Sequence, residues 1–213
     1  RIRRHLDWVM VDATRMPTDD RPIPAGRLRE FLSGLRRADT LIITKYKDAA
    51  TLDRHAATLR NRFPAQALAA LELRPQGLHA FYPSADLPLP GLDSLQGVQA
   101  VVFSGIGNNA HFAQTLSSLG ITALRTFTFP DHHAYREAEI EKILAEYESL
   151  KEIKGKLRPV LILTTEKDYF RLKSMPWMQR VTHLPWAYLA VGMEPLWGWE
   201  AMELKLKKII KNS

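Results

Sequence analysis

The stretch Ala123-Leu-Arg-Thr-Phe-Thr-Phe-Pro-Asp-His-His-Ala-Tyr135 joins a strand pattern to a helix pattern across a polar turn. Its first part, Leu124 to Phe129, has the apolar and β-branched residues that are typical of a strand. The segment Arg136 to Leu150 follows and carries apolar residues at helical spacing. The Asp-His-His turn therefore stands at the carboxyl end of a predicted strand, and in open α/β sheets that edge is where ligands bind.

The same alternation of strands and helices runs through the whole chain. Further strands are predicted at Leu6–Asp12, Thr40–Thr44, Ala100–Phe103 and Val160–Thr164. The segment Val181–Met193 also has strand-like character. Helices are predicted at Asp48–Phe63, Asn109–Leu119, Glu137–Leu150 and Trp199–Ile210. Short, nearly continuous apolar runs are expected of parallel strands that are covered on both faces. The pattern predicts an α/β fold with a mostly parallel sheet. The Pro- and Gly-rich segment Leu73–Gly97 predicts a linker or a strand crossing between lobes.

Composition limits the classes of function. The 213 residues suit one large domain or two small ones. The absence of cysteine excludes disulfides, thiol catalysis and cysteine-bound metals. A net charge of +7 favours anionic partners such as phosphates, nucleic acid or an acidic membrane surface. The Lys and Arg residues are spread along the chain, with small clusters at Arg1–Arg4 and Lys205–Lys211, so a solvated basic surface is the alternative.

Asp131, His132 and His133 are the first candidates for chemistry. A carboxylate beside an imidazole can fix its tautomer and orientation, while the His itself titrates near neutral pH. The alternative is a structural role in which Asp131 caps a helix and both His lie on the surface. Metal binding is less favoured, because adjacent His side chains point in different directions and no third ligand has a recognisable spacing.

The second candidate is the segment Pro24-Ala-Gly-Arg-Leu-Arg-Glu30. Arg27 and Arg29 can hold phosphate oxygens, and Glu30 can bind Mg²⁺ or orient a base. The alternative interpretation is the N-terminus of a helix with solvated charges.

Three strand ends complete the set of candidates. In Thr164-Thr-Glu-Lys-Asp168, Thr165 can cap a helix whose N-terminus would also attract phosphate. Lys45 follows the strand Thr40–Thr44 in the same way. The segment Ser104-Gly-Ile-Gly-Asn108 favours a simple strand-to-helix turn, because the third Gly of the dinucleotide fingerprint is absent.

Two motifs are absent from the sequence. It holds no Gly-x-x-x-x-Gly-Lys-[Ser/Thr] phosphate loop. Its aromatic residues do not alternate with basic ones in the manner of a base-stacking surface, so nothing beyond charge supports nucleic acid as a partner.

Six segments in this order resemble the lipid A tetraacyldisaccharide 4'-kinase family. They are Leu6–Asp12, Pro24–Glu30, Ala38–Lys45, Phe103–Asn108, Phe129–Tyr135 and Leu163–Asp168. Each is common alone, but the six together run through most of the chain and are specific.

The resemblance implies a P-loop-type α/β kinase that uses ATP and Mg²⁺ to phosphorylate the 4'-hydroxyl of a tetraacylated glucosamine disaccharide 1-phosphate, a precursor of lipid A. It also implies work at the cytoplasmic face of the inner membrane of a Gram-negative bacterium. Family members carry a membrane-anchoring N-terminus, a P-loop and an Asp-Asp-Gly-type motif upstream of the matched region. We therefore expect this chain to be the C-terminal portion of such a transferase, soluble by itself and inactive alone, with membrane contact made by the part upstream.

By the same resemblance, His132 matches a His that acts with an acidic residue upstream of the matched region to activate the sugar hydroxyl. That partner is not in this sequence, and Asp131 is the candidate carboxylate beside His132. Glu30 matches an acidic residue near Mg²⁺ and the nucleotide, and Arg27 and Arg29 match positions near the anionic ligands.

Lys45, Lys167 and Asp168 are weaker matches, either close to the nucleotide or structural. His133 is expected to be structural.

The implied organisation has three parts. Residues 1–84 would be the C-terminal part of the core nucleotide-binding domain, and residues 85–175 a smaller α/β lobe that carries Asp131 and His132. Residues 176–213 would form a return strand and a basic helix packed on the core. The alternative function is a non-catalytic α/β module that binds anionic glycolipid or nucleotide, with a separate P-loop chain as its partner.

Overall fold

The computed structural model describes residues 5–82, 89–154 and 159–211. Within these ranges the strands are β1 (Trp8–Asp12), β2 (Thr40–Thr44), β3 (Ala67–Ala80), β4 (Gln99–Ser104), β5 (Thr122–Thr128), β6 (Val160–Thr165) and β7 (Trp186–Trp197). The α-helices are α1 (Ala49–Arg62), α2 (Asn109–Ser118), α3 (Glu137–Lys154), α4 (Glu166–Leu172) and α5 (Trp199–Lys211). Short 3-10 helices lie at Pro17–Asp19, Leu32–Arg37, Leu92–Ser94 and Pro176–Val181.

The chain divides into two compact units. The first comprises Arg1–Arg74 and Gly192–Ser213, and the second comprises Pro75–Val191. Strand β3 carries the chain from the first unit into the second, and β7 brings it back. The predicted boundary after residue 84 lies outside the described residues, as does the cluster Arg1–Arg4. The roles that the sequence suggests for residues 1–84, 85–175 and 176–213 stay predictions.

In the first unit, β1, β2 and β3 are parallel neighbours. Trp8 is paired with Thr40 and Thr40 with Ala67 at the start of the ladders. One face of these strands packs against α1, whose Leu52, Ala56 and Leu59 are buried because they recur at helical spacing. On the other face, Met202 of α5 packs against Ile42 and Ala69.

In the second unit, the strand order is β7-β6-β4-β5 with parallel pairing throughout. The continuous apolar runs of β4 and β6 are buried along almost their whole length, as expected for central parallel strands. Helix α3 buries Ile140, Ile143 and Tyr147 on one side, and α2 buries Phe112 and Leu116 in a second core cluster. Both layers fix the sheet edge at which β4, β5 and β6 end.

The predicted α/β class with its mostly parallel sheet is confirmed. Strand β3 is predicted only in part: from Leu73 onward the alternative of a strand crossing between lobes is confirmed, whereas the first half of the strand, residues 67–72, is not predicted. The strand contains Pro75 and Gly77, and proline removes a ladder donor while glycine weakens a strand interior. That composition is why the segment from Leu73 onward is predicted as a linker or a crossing. Strand β7 begins at Trp186, later than predicted, because the 3-10 helix Pro176–Val181 is followed by a turn closed by a hydrogen bond from the Leu184 N–H to the Val181 carbonyl.

Among the described helices, none combines the length and the apolar character needed to cross a bilayer.

Candidate functional site

Three chain segments meet at the carboxyl edge of the second unit's parallel strands. They follow β4, β5 and β6, and they contain the turn after Ser104, the Asp-His-His turn and the start of α4. Neighbouring parallel strands end at the same edge, so residues far apart in sequence come together there. The ion pair between Asp131 and Lys167, with 2.8 Å between Oδ1 and Nζ, joins two of these segments directly.

His132 has a strained backbone. Its φ is +60°, and among the described residues only His132 and Lys45 have positive φ without being glycine. Non-glycine residues in this region cost free energy and persist where the surroundings impose them, often at functional sites. The backbone N–H of His132 donates to the Asp131 carboxylate at 2.9 Å, which helps to fix this turn.

The alternative in which Asp131 caps a helix is wrong. Helix α3 begins only at Glu137, and Asp131 lies in a turn six residues earlier. Its carboxylate instead accepts from Lys167 and from the His132 backbone, and the Lys167 hydrogen bond is the main reason why the pKa of Asp131 is lowered.

The His132 ring is exposed and lies among charged groups. Its side chain is 74% exposed. Nδ1 lies 3.1 Å from Nη2 of Arg171, and Nε2 lies 3.5 Å from Nζ of Lys167 and 3.7 Å from Oδ2 of Asp131. The ring therefore faces solvent with two cations and one carboxylate around it, an arrangement suited to an anionic ligand.

Asp168 is a fully buried carboxylate beneath this surface. Oδ2 accepts from the Gly105 backbone N–H at 3.0 Å and from the Thr165 hydroxyl at 2.7 Å. Oδ1 accepts from Nη1 of Arg171 at 3.0 Å. The carboxylate thereby ties the turn after β4 to the first turn of α4.

Thr165 is the N-cap of α4, as the sequence predicts. Its hydroxyl oxygen accepts from the Asp168 backbone N–H at 3.2 Å, and its hydroxyl donates back to the Asp168 side chain. This reciprocal arrangement uses the N-cap and N3 positions of a capping box, but the N3 side chain accepts from the N-cap hydroxyl and not from the N-cap backbone N–H. It fixes the direction in which α4 presents Lys167 and Arg171.

His133 has a structural environment. Nε2 lies 2.9 Å from Oε2 of Glu139, and the ring stacks on Phe129 with 4.7 Å between centroids. Glu139 also accepts from the backbone N–H and from the guanidinium of Arg136, and these hydrogen bonds lower the pKa of Glu139 to about 2. The network holds the chain between the Asp-His-His turn and α3.

The segment Ser104–Asn108 forms a strand-to-helix turn. Asn108 caps α2 through a hydrogen bond from the His111 backbone. A Cβ on Gly105 would come within 2.9 Å of the Tyr135 hydroxyl oxygen, so glycine is required by close packing. The Tyr135 hydroxyl is buried, and no described residue forms a hydrogen bond of good geometry with it. Burial and the nearby Asp168 carboxylate raise the pKa of Tyr135.

In the first unit, Lys45 lies at the end of β2 and pairs with Asp12 at the end of β1. The distance from Nζ to Oδ2 is 2.7 Å. Lys45 has a φ of +57°. Burial opposes ionisation of Asp12, but hydrogen bonds from Lys45 and Thr14 outweigh it, so the pKa of Asp12 is lowered. The sequence does not single out Asp12, although a carboxylate at the end of an apolar strand is a visible signal.

The segment Pro24–Glu30 is a loop, so the alternative of a helix N-terminus there is wrong. A 3-10 helix begins only at Leu32. The Asp20 side chain accepts from the backbone N–H groups of Arg21 and Arg27, which favours a compact loop over a helix.

The predicted loop residues Arg27, Arg29 and Glu30 are all exposed. Glu30 forms an ion pair with Arg37.

The predicted residues thus fall into two groups. Asp131, His132, Lys167 and Asp168 lie together in the second unit, and Arg27, Arg29, Glu30 and Lys45 lie in the first. Arg171 was not predicted. The sequence does contain a signal for it. Arg171 lies three positions after Asp168 and four after Lys167 on a helix, and residues at these spacings share one face.

Within the described ranges, no group of three or more His, Asp or Glu side chains is arranged to hold a metal ion. Glu30 remains the predicted metal ligand of this chain.

This architecture is that of an α/β protein with polar and cationic residues at the carboxyl edge of a parallel sheet. The sequence profile of the family described as tetraacyldisaccharide-1-P 4'-kinase matches residues 1–211. The chain belongs to this family.

Individual relatives agree with the family match. The tetraacyldisaccharide 4'-kinase of Chlorobaculum parvum is 32% identical over 100% of this chain and 55% of its own length. The enzyme of that name from Chlorobium limicola is 33% identical over 98% of this chain and 56% of its own length. The chain therefore spans about half the length of the curated relatives it matches.

A solved structure shares the fold. The crystal structure of LpxK from Aquifex aeolicus in complex with ATP superposes with a TM-score of 0.54 at 24% identity. The match covers 99% of this chain and 53% of that one.

Proposed function

We propose that this protein acts in lipid A biosynthesis as a kinase that transfers the γ-phosphoryl group of ATP to the 4'-hydroxyl of a tetraacylated glucosamine disaccharide 1-phosphate. Membership of the family supports the reaction class. The observation that carries the proposal is the cluster of His132, Lys167 and Arg171 at the carboxyl edge of the second unit.

The cluster has the chemistry that phosphoryl transfer needs. Enzymes of this class act mainly by positioning the reactants and by compensating charge on the phosphoryl oxygens. Lys167 supplies a compact point charge that suits phosphate oxygens, and Arg171 adds a fixed positive charge beside the His132 ring. His132 is exposed between them, so its ring can reach a ligand without movement of the core.

In this proposal His132 is the catalytic residue and Asp131 orients it. The Asp131 carboxylate fixes the turn through the His132 backbone N–H and lies 3.7 Å from Nε2. A strained backbone at the residue that contacts the reacting groups is a known feature of catalytic turns.

The remaining predicted residues have supporting roles. We assign Arg27, Arg29 and Lys45 to contacts with the nucleotide, since all three are exposed cations. Of the two roles predicted for Asp168 we assign the structural one: its carboxylate is buried and already accepts three hydrogen bonds, so it holds Arg171 and Gly105 in place.

Mg²⁺ fits this chain only in a limited way. Magnesium is usually held by one or two carboxylates together with phosphate oxygens and water. Glu30 is an exposed carboxylate that can supply one such ligand once it leaves Arg37. When bound, the ion would neutralise part of the phosphate charge.

We further propose that the protein works at the cytoplasmic face of the inner membrane, in contact with the lipid surface through a region upstream of this sequence. An acylated disaccharide substrate partitions into a bilayer, and a net charge of +7 suits an anionic surface.

The test is a phosphoryl-transfer assay on the full-length gene product with ATP, Mg²⁺ and the tetraacylated disaccharide 1-phosphate. We expect 4'-phosphorylated product in the wild type and a loss of turnover of about 10²- to 10⁴-fold in His132→Ala. The Ala variant should fold normally, because the side chain is mostly exposed. His183→Ala, the same substitution at another exposed His of the second unit, is the matched control.

Near-normal turnover in His132→Ala would contradict the catalytic role. Wild-type protein that binds the glycolipid or ATP without turnover would instead indicate the non-catalytic binding module.

A further inference from the structure

We infer that Arg171 is a positioning residue that holds His132 in a single tautomer, with Nδ1 unprotonated and the proton on Nε2. The inference deepens the proposed function, on which its kinetic arm rests. It assigns to the site a residue that acts through His132 and needs no contact with the substrate.

The first step of the argument is the donor inventory of the two side chains. A guanidinium group carries only donors and stays charged. Nη2 of Arg171 lies 3.1 Å from Nδ1 of His132, so Nδ1 must be the acceptor. A neutral imidazole with an accepting Nδ1 carries its proton on Nε2.

A competing contact points the other way. Nζ of Lys167 also only donates, and it lies 3.5 Å from Nε2 of the same ring. Both contacts cannot be hydrogen bonds to one neutral imidazole. The Arg171 contact has ordinary hydrogen-bond length, whereas the Lys167 contact is at the outer limit and Lys167 already donates to Asp131 at 2.8 Å. The shorter contact therefore decides the tautomer.

The second step is the rigidity of Arg171. Its Nη1 donates to the Gly105 carbonyl at 2.8 Å and to the buried Asp168 carboxylate at 3.0 Å. The Arg171 side chain is only 21% exposed. Since the other end of the guanidinium is fixed in this way, Nη2 presents a donor at a defined position beside the His132 ring.

The consequence concerns the ring atom that meets a ligand. With Nδ1 occupied by Arg171, the free ring nitrogen is Nε2, and it carries a proton. His132 then offers a hydrogen bond to an anionic oxygen, such as one of a phosphoryl group, and it accepts a proton only after Arg171 releases Nδ1.

The direct test is NMR of the full-length gene product labelled with ¹⁵N-histidine, in which His132→Gln identifies the resonances of His132. At a pH where the ring is neutral, we expect a protonated Nε2 and an unprotonated Nδ1 that accepts a hydrogen bond. Arg171→Met should move the Nδ1 resonance toward that of a nitrogen without a hydrogen-bond partner, while Lys167→Met should leave it in place. A protonated Nδ1 in the wild type, or a Nδ1 resonance that responds to Lys167→Met and not to Arg171→Met, would overturn the inference.

The kinetic arm is a double-mutant cycle in the phosphoryl-transfer assay. We expect Arg171→Met to lower kcat about 10- to 100-fold, as outer partners that orient a functional His do. The double variant with His132→Ala should be no slower than His132→Ala alone, because Arg171 acts through His132. Additive losses would overturn that claim, and Arg180→Met is the control for loss of an arginine in the same unit.

The two arms separate the possible failures. The wild-type spectrum, assigned with His132→Gln, needs neither activity nor the Arg171→Met variant, so it decides the tautomer even if the protein transfers no phosphate or Arg171→Met fails to fold. Absence of turnover in the wild type would instead count against the proposed function.

Discussion

Asp168 shows at the scale of one residue how a buried charge can stabilise a site without reaching the ligand. It is fully buried, and its two oxygens accept from Gly105, Thr165 and Arg171. A buried carboxylate is tolerated only when its hydrogen-bonding capacity is used, since desolvation is otherwise too costly. The sequence shows an Asp in the first turn of a predicted helix, which by itself is typical of an exposed capping position.

Asp168→Asn is therefore expected to destabilise the protein strongly. The amide has nearly the same size but replaces one acceptor by a donor, so at least one of the three donors around it loses its partner. Loss of one partner in a buried ion pair costs about 3–5 kcal/mol. Denaturant unfolding of the wild type and the variant measures this difference.

The control is Asp93→Asn, the same change at an exposed Asp of the second unit, which should shift the free energy of unfolding by less than about 0.5 kcal/mol. Equal stability of Asp168→Asn and the wild type would mean that the buried network contributes little.

At the scale of elements, the turn between β5 and α3 depends on a network centred on Glu139. This carboxylate lies in the first turn of α3, where the helix dipole also favours negative charge. It accepts from the backbone and the guanidinium of Arg136 and contacts His133. The network fixes the exit of the Asp-His-His turn and so helps to set where His132 lies.

We expect this network to make stability depend on pH. The pKa of Glu139 is lowered from 4.5 to about 2 in the folded protein, chiefly by the hydrogen bonds from Arg136. A group with a lowered folded-state pKa contributes stability that is present above its unfolded pKa and is lost as pH falls through the folded pKa. The contribution should therefore be complete above about pH 4.5 and should disappear toward pH 2. Urea unfolding at pH 7, 4.5 and 3 measures it.

Glu139→Gln should flatten this part of the stability curve, while Glu141→Gln, at an exposed position on the same helix, should not. A variant curve parallel to that of the wild type between pH 4.5 and 3 would contradict the assignment.

For the whole molecule, the net charge of +7 is the property that most affects the choice of partner. The described part of the chain pairs many of its cations with acidic side chains, including Arg37–Glu30, Lys45–Asp12, Arg74–Glu72, Arg136–Glu139, Lys167–Asp131, Arg180–Glu137 and Lys207–Glu203. These pairs leave the net charge unchanged, but the Lys and Arg residues are spread along the chain, a distribution that suits small anionic groups better than nucleic acid.

We therefore expect no specific affinity for nucleic acid. In fluorescence anisotropy with a labelled DNA duplex at about 150 mM salt, the full-length gene product should show no saturable binding at micromolar protein. Weak binding that appears only at lower salt would be the non-specific response of a basic protein. Tight binding at about 150 mM salt, with an affinity that falls steeply as salt is raised, would contradict this prediction.

Local pattern was enough to predict much of the fold and part of the site. Continuous apolar runs predicted β2, β4 and β6, because buried parallel strands need apolar side chains on both faces. Helical spacing predicted α1 and α2, and the Thr165 cap followed from its place before the first turn of α4. These features depend on residues that are close in sequence.

Tertiary structure alone decided the rest, because it depends on contacts between distant residues. The long strand β3 forms in spite of Pro75 and Gly77, since pairing with neighbouring strands overrides local preference. Asp168 is separated from Gly105 by 63 positions, and Arg171 from His132 by 39, yet each pair is in hydrogen-bond contact. The sequence by itself therefore determined which strand ends carry polar residues, whereas the burial of Asp168 and the contact of Arg171 with His132 arise only when parallel strands bring those ends to one edge of the sheet.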